Sequence, residues 1–220
     1  MGIHDSDIGM KLVQYVCLLF SLCVHEAAHA LTANRCGDPT ARLMGRATLN
    51  PLAHIDPIGT VVMPLLMMTT NIPLIGWAKP VPFNPRNLHN MRRDPALIAL
   101  AGPMSNLLLA VTAAVMLRIV VMTTDLAPNP SLIYANPVSM VLFSLVVINL
   151  LLMLFNLIPV PPLDGGHIIY PILPPGGQRV IEQIGPFGIL IAFFLANKVL
   201  GLPFALLLKS ILVFVYWGQI

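Results

Sequence analysis

An all-α polytopic membrane protein is the fold class that the sequence predicts, and three observations predict it. Of 220 residues, 57% are hydrophobic and only 10% charged, against roughly 25% charged in an ordinary soluble domain. Mean hydropathy is +0.83. Five apolar stretches, at about 10–34, 95–122, 138–158, 185–200 and 202–219, lie near the ~20 residues that a helix needs to cross hydrocarbon. Such a chain has too few polar residues to cover a water-facing surface. The net charge of +3, spread without a dense basic patch, argues against a nucleic-acid partner. Three cysteines, Cys17, Cys23 and Cys36, are an odd number with no CxxC pair, which excludes a disulfide framework or a zinc knuckle.

The stretch 10–34 follows an acidic lead, Met1-Gly2-Ile3-His4-Asp5-Ser6-Asp7. A secretory signal carries a basic lead, so this stretch is expected to stay as a span. It leaves into 34–56, which holds Arg35, Arg42 and Arg46, while 76–94 holds Lys79, Arg86, Arg92 and Arg93. The loop 123–136 has no basic residue, only Asp125. The excess of Lys and Arg in cytosolic loops then places the first two loops in the cytosol and the third outside. So 10–34 runs inward, 95–122 runs outward and 138–158 returns.

Both ends of the apolar run 57–75 therefore face the cytosol, which makes it a re-entrant segment rather than a lone crossing. A helix entering near Pro57 and an extended return over 72–83 satisfy this, with an ordinary span as the alternative. The return, Ile72 to Phe83, carries too many prolines for a helix interior. Non-helical backbone at membrane depth is tolerated only against protein or a water-filled cavity, so this segment should line an interior site. The helix 138–158 should end in a break over 156–166, where Pro159, Pro161, Pro162, Gly165 and Gly166 forbid regular structure. Gly201 and Pro203 divide the last two stretches, as a tight hairpin or one broken helix. No repeat or polar linker interrupts the chain, so 1–220 reads as one domain, with a core over about 10–170 and a C-terminal helical pair over about 185–219.

Chemistry is concentrated late in the first span, at His25-Glu26-Ala27-Ala28-His29. Residues i and i+4 share a helix face, so two imidazoles can bind one metal ion while the intervening glutamate serves as general base. Ionisable groups inside a span are costly and default to a functional reading. A catalytic zinc site takes three protein ligands and leaves one position open. The third ligand should match the cytosolic depth of His25 and His29. Asp164, just past the inward end of 138–158, does so. His54 and His167 are competitors, Asp125 lies on the opposite side, and Asp94 sits where an acidic helix start is expected. Asn106 is a candidate for holding an oxyanion or substrate backbone, with helix packing as the other reading. Asn156 invites the same two and a third, satisfying backbone freed near Pro159. His54 is a further candidate for substrate contact.

Two motifs carry a resemblance: His25-Glu26-Ala27-Ala28-His29, and Asn156-Leu157-Ile158-Pro159-Val160-Pro161-Pro162-Leu163-Asp164-Gly165-Gly166. Gly37-Asp38-Pro39-Thr40, Leu49-Asn50-Pro51, Gly76-Trp77-Ala78-Lys79-Pro80-Val81-Pro82 and Ala101-Gly102-Pro103-Met104-Ser105-Asn106 add to it. With these the chain resembles the site-2 protease family of intramembrane zinc metalloproteases, in its compact branch without a PDZ or nucleotide-sensing domain. The resemblance implies one Zn²⁺ per chain held by His25, His29 and Asp164, with Glu26 as the catalytic glutamate. It implies an endopeptidase acting on transmembrane or membrane-tethered proteins, in a prokaryotic inner membrane, with its site toward the cytosol. A membrane metal-ion transporter or a non-catalytic metal-binding protein is the alternative, although transporters usually place polar groups at the midplane across repeated halves and no repeat is present.

Overall fold

The structure, a computed structural model, describes residues 5–68, 76–124, 133, 134 and 136–217. Among these no strand occurs, and the helices are α1 (Asp5–Arg35), α2 (Thr40–Leu43), α3 (Met63–Met68), α4 (Asp94–Thr123), α5 (Pro137–Asn156), α6 (Asp164–Ile169), α7 (Pro175–Ile184), α8 (Gly188–Val199) and α9 (Gly201–Val215). At 1.5 Å per residue, the 31 residues of α1, 30 of α4 and 20 of α5 extend about 46, 45 and 30 Å. These three are long and apolar enough to cross a membrane.

The C-terminal stretches form two short helices with a division at Gly201. Helices α8 and α9 have 12 and 15 residues, about 18 and 22 Å, less than the ~30 Å hydrocarbon core. Glycine and proline set both breaks. The division at Gly201 is present, but the sharp bend, 98°, falls between α7 and α8, around Gly185.

Pro57–Val62 is wound as a π-helix that runs on into α3. Asp56 caps its start, accepting from the N–H groups of Ile58 at 3.0 Å and Gly59 at 2.7 Å. The two described pieces, six residues each, reach about 18 Å. Residues 69–75, with the expected start of the return at Ile72, lie outside the described residues, as does most of the loop 123–136 with Asp125. From Gly76 to Asn84 the chain forms neither helix nor strand and is bonded to the π-helical start. Trp77 N–H donates to Gly59 O at 3.3 Å, Lys79 N–H to His54 O at 2.9 Å, and Thr60 Oγ1 to Trp77 O at 2.9 Å. The contact needs glycine at position 59, because a Cβ there would lie 2.4 Å from the Trp77 indole.

Helices α1, α4 and α5 pack on one another. Ala110, Ala113, Ala114 and Leu117 of α4 meet Val146, Leu150 and Met153 of α5, and α9 closes this cluster with Val215. Small residues let helix backbones approach where lipid gives no hydrophobic drive. Ile158, Val160 and Leu163 of the α5–α6 turn pack on Ala192 of α8.

Asp38, buried in the turn after α1, clamps that turn to the segment before α4. It accepts from Thr40 Oγ1 at 2.5 Å, Asn84 N–H at 2.6 Å and Asn87 Nδ2 at 2.8 Å. Burial alone would raise its carboxyl, but these bonds more than reverse that and hold it below the usual carboxylate range. The unfolded carboxyl, near ~3.9, therefore takes up a proton before the folded one does. The clamp is fully stabilising above about pH 4 and weakens as pH falls toward the lower folded value. Amide exchange over 36–40 and 84–89 should accelerate in that acid window, and Asp38→Asn should exchange faster at neutral pH with no such dependence.

Candidate metal centre

His25 and His29 stand one turn apart on α1, buried against α4, with their Nε2 atoms 3.0 Å from each other. Asp164, the first residue of α6, brings its carboxylate to them across the α5–α6 turn. Its Oδ2 lies 3.2 Å from His25 Nε2 and its Oδ1 3.4 Å from His29 Nε2. Glu26 flanks the pair, with a carboxylate oxygen within 4.8 Å of both imidazoles.

The outer nitrogens decide the protonation of the inner ones. His29 Nδ1 is 2.7 Å from Ile98 O, and a carbonyl can only accept, so Nδ1 carries the proton and Nε2 offers a lone pair. Ile98 lies one residue before the carbonyl that Pro103, inside α4, leaves without a helical donor. His25 Nδ1 is 2.5 Å from Asn106 Oδ1, which gives the same tautomer. The Nε2 edges of two imidazoles and a carboxylate thus converge on one point, and Asp164 Oδ2 is buried without a hydrogen-bond partner. A metal ion that takes the place of protons on the Nε2 atoms would satisfy that set. Room for one exists because residue 102 is glycine: a Cβ there would lie 2.4 Å from His29 Nε2 and 2.6 Å from His25 Nε2. Two imidazoles and one carboxylate suit Zn²⁺.

The other sequence candidates lie elsewhere. His54 is buried and donates from Nε2 to Thr48 O at 2.8 Å, while its Nδ1 has no partner. It does not belong to the His25–Glu26–His29 group, the single such group among the described residues. His167 lines a cavity of about 270 Å³ between α6 and α7, together with Tyr170 and Glu182, and Glu182 accepts from Tyr170 Oη at 2.5 Å. Asp94 accepts from Asn90 N–H and Arg93 at the start of α4. Asn156 donates to Leu152 O at 3.0 Å, serving backbone in its own helix.

Asn106, read from sequence as an oxyanion or substrate contact or as helix packing, joins α4 to α1 and α5. Both ends of its amide are engaged, Oδ1 with His25 and Nδ2 with Asn149 Oδ1 at 2.8 Å, which puts it behind the imidazole. Asn149 and Ser21 complete this arrangement and escaped the sequence reading. A polar residue in mid-span is the signal that could have found them.

The segment 76–84 reaches the site through Val81, whose N–H donates to Glu26 Oε2 at 3.1 Å.

Comparison with known proteins agrees with this geometry. A model of peptidase family M50 matches residues 13–124 and 119–196. The chain is 35% identical over 194 residues to "Putative zinc metalloprotease YwhC" of Bacillus subtilis, covering 87% of this chain and 84% of that protein. Two mycobacterial proteins that carry the same designation with the name Rip2 are each 31% identical. The one from Mycolicibacterium smegmatis matches over 86% of this chain and 68% of its own length. The one from Mycobacterium tuberculosis matches over 90% and 70%. No solved structure matches the chain.

Proposed function

The chain belongs to peptidase family M50, a zinc metalloprotease with membrane-crossing helices, and from that premise we propose that it cuts transmembrane or membrane-tethered proteins within the bilayer. In this reading His25, His29 and Asp164 hold one Zn²⁺, Glu26 is the general base, and 1–220 is one catalytic unit in a prokaryotic inner membrane with its site toward the cytosol. The convergence of the His25 and His29 Nε2 atoms and the Asp164 carboxylate carries the proposal.

Zn²⁺ supplies Lewis acidity that polarises a carbonyl and makes water easier to deprotonate. The chain's own groups do the rest. Val81 N–H holds one oxygen of Glu26, leaving the other to take a proton from water and pass it to the departing amide nitrogen. Trp77, Lys79 and Val81 turn their N–H groups toward the protein. These N–H groups alternate as in extended chain, so the opposite edge carries the backbone of Ala78, Pro80 and Pro82. That edge offers a substrate strand the N–H of Ala78 and the carbonyls of Ala78, Pro80 and Pro82, a mostly accepting edge.

Removing the Val81 N–H tests the positioning of the base. Val81→Pro suits a stretch already flanked by Pro80 and Pro82, and loss of a hydrogen bond to a charged group is worth roughly 1.5–3 kcal/mol. A drop of about tenfold or more in cleavage rate is expected with zinc content unchanged.

The whole reading is tested by reconstituting the protein in vesicles with a membrane-tethered peptide. Cleavage that a chelator abolishes and zinc restores is expected. Metal movement across the vesicle without peptide cutting would establish the transporter instead.

A further inference from the structure

Resting on that zinc site, we propose that Asn149, held by Ser21, is a positioning residue that fixes the tautomer of His25 through Asn106 and so sets metal affinity. The chain of bonds crosses three helices and runs in one direction. Ser21 Oγ donates to Cys17 O at 2.7 Å. Asn149 Nδ2 donates to Ser21 Oγ and to Leu145 O, both at 2.8 Å. Asn106 Nδ2 donates to Asn149 Oδ1 at 2.8 Å, and His25 Nδ1 meets Asn106 Oδ1 at 2.5 Å. Ser21, Asn106 and Asn149 are each fully buried.

The direction is forced from its far end. Cys17 O and Leu145 O are backbone carbonyls and only accept. Asn149 must therefore turn its NH₂ toward Leu145 and its oxygen toward Asn106. Asn106 must answer with its own NH₂, which leaves its oxygen for His25. His25 can meet that oxygen only with a proton on Nδ1, and its Nε2 is then free for metal. His29 reaches the same state directly through Ile98 O. Without Asn149 the Asn106 amide is free to flip and offer NH₂ to His25, which favours the tautomer that cannot ligate. Partners of this kind typically contribute 10–100-fold to metal affinity.

The test is zinc affinity of the full-length protein in detergent, measured by competition with a chromophoric chelator. Asn149→Leu is expected to weaken zinc binding by about 10–100-fold, and Asn149→Ala carries the same expectation should leucine prevent folding. A carboxylate has no NH₂ end to present wrongly, so adding Asn106→Asp to Asn149→Leu should bring affinity back to within about threefold of the unaltered protein. Asn149→Asp, which in buried, protonated form keeps one accepting and one donating oxygen, should stay equally close. Unchanged affinity in Asn149→Leu overturns the proposal. So does a loss that Asn106→Asp fails to recover, because a packing defect would not respond to that change. Failure of the zinc assignment is distinguishable: the unaltered protein would then hold no stoichiometric zinc that His29→Ala removes.

Discussion

Gly102→Ala is expected to empty the metal centre without removing a single ligand. The added methyl would lie 2.4 Å from His29 Nε2, 2.5 Å from His25 Cε1 and 2.6 Å from His25 Nε2, inside the space that the two nitrogens enclose. Neither imidazole has an easy retreat, since each is tied by Nδ1 to α4, one through Ile98 O and the other through Asn106. The same substitution should strengthen the helix, because alanine exceeds glycine in helix propensity by about 1 kcal/mol. Crowding of the two rings costs about 1–3 kcal/mol, so the metal-free variant should still fold, with a melting temperature lowered by no more than a few degrees. Its zinc content should fall below about a tenth of an equivalent, and its peptide cleavage to the level of the chelated parent. Stoichiometric zinc in this variant would show that the metal sits elsewhere.

Glu26→Gln and Asp164→Asn are expected to part company. His25, Glu26 and His29 alone bring three ligand atoms within 4.8 Å of one another, so a ligand set built from α1 competes with the one completed by Asp164. If Glu26 is the base, Glu26→Gln lowers the cleavage rate by roughly 10²–10⁴-fold and leaves zinc bound. Asp164→Asn then loses zinc, by more than the roughly 10–100-fold of an outer partner. Parallel zinc titrations and cleavage assays read both quantities. The reverse pattern, zinc lost with Glu26→Gln and kept with Asp164→Asn, would exchange the two roles.

How far the sequence reaches is set by whether a signal is local. The spacing of His25 and His29 is local, and so are the caps and breaks at Asp56, Pro57 and the Pro159–Gly166 stretch; each reads directly from neighbouring residues. The approach of Asp164 to the histidines joins residues more than a hundred positions apart, yet depth in the bilayer supplied a coordinate that linear separation does not. Asn149 had no such help. An asparagine inside the apolar run of α5 looks the same whether it glues helices or orients a ligand, and only its Leu145 and Ser21 partners separate the two. Asn106 shows the converse: its polarity drew attention, but its direction is decided by Asn149 on another helix. The C-terminal stretches were harder still, since uniform apolarity carries no mark of where a helix tilts, shortens or bends.

Arg118 near the end of α4 donates to the backbone carbonyls of Phe214 and Trp217 and lies 5.0 Å from the Phe214 ring centre. Ile98, which holds His29, is on the same helix and about 30 Å away along its axis. The carbonyls of Phe214 and Trp217 are therefore fastened to the far end of the helix that braces His29. The two ends of α4 thus carry different duties, the first bracing the imidazoles and the last fastening the end of α9.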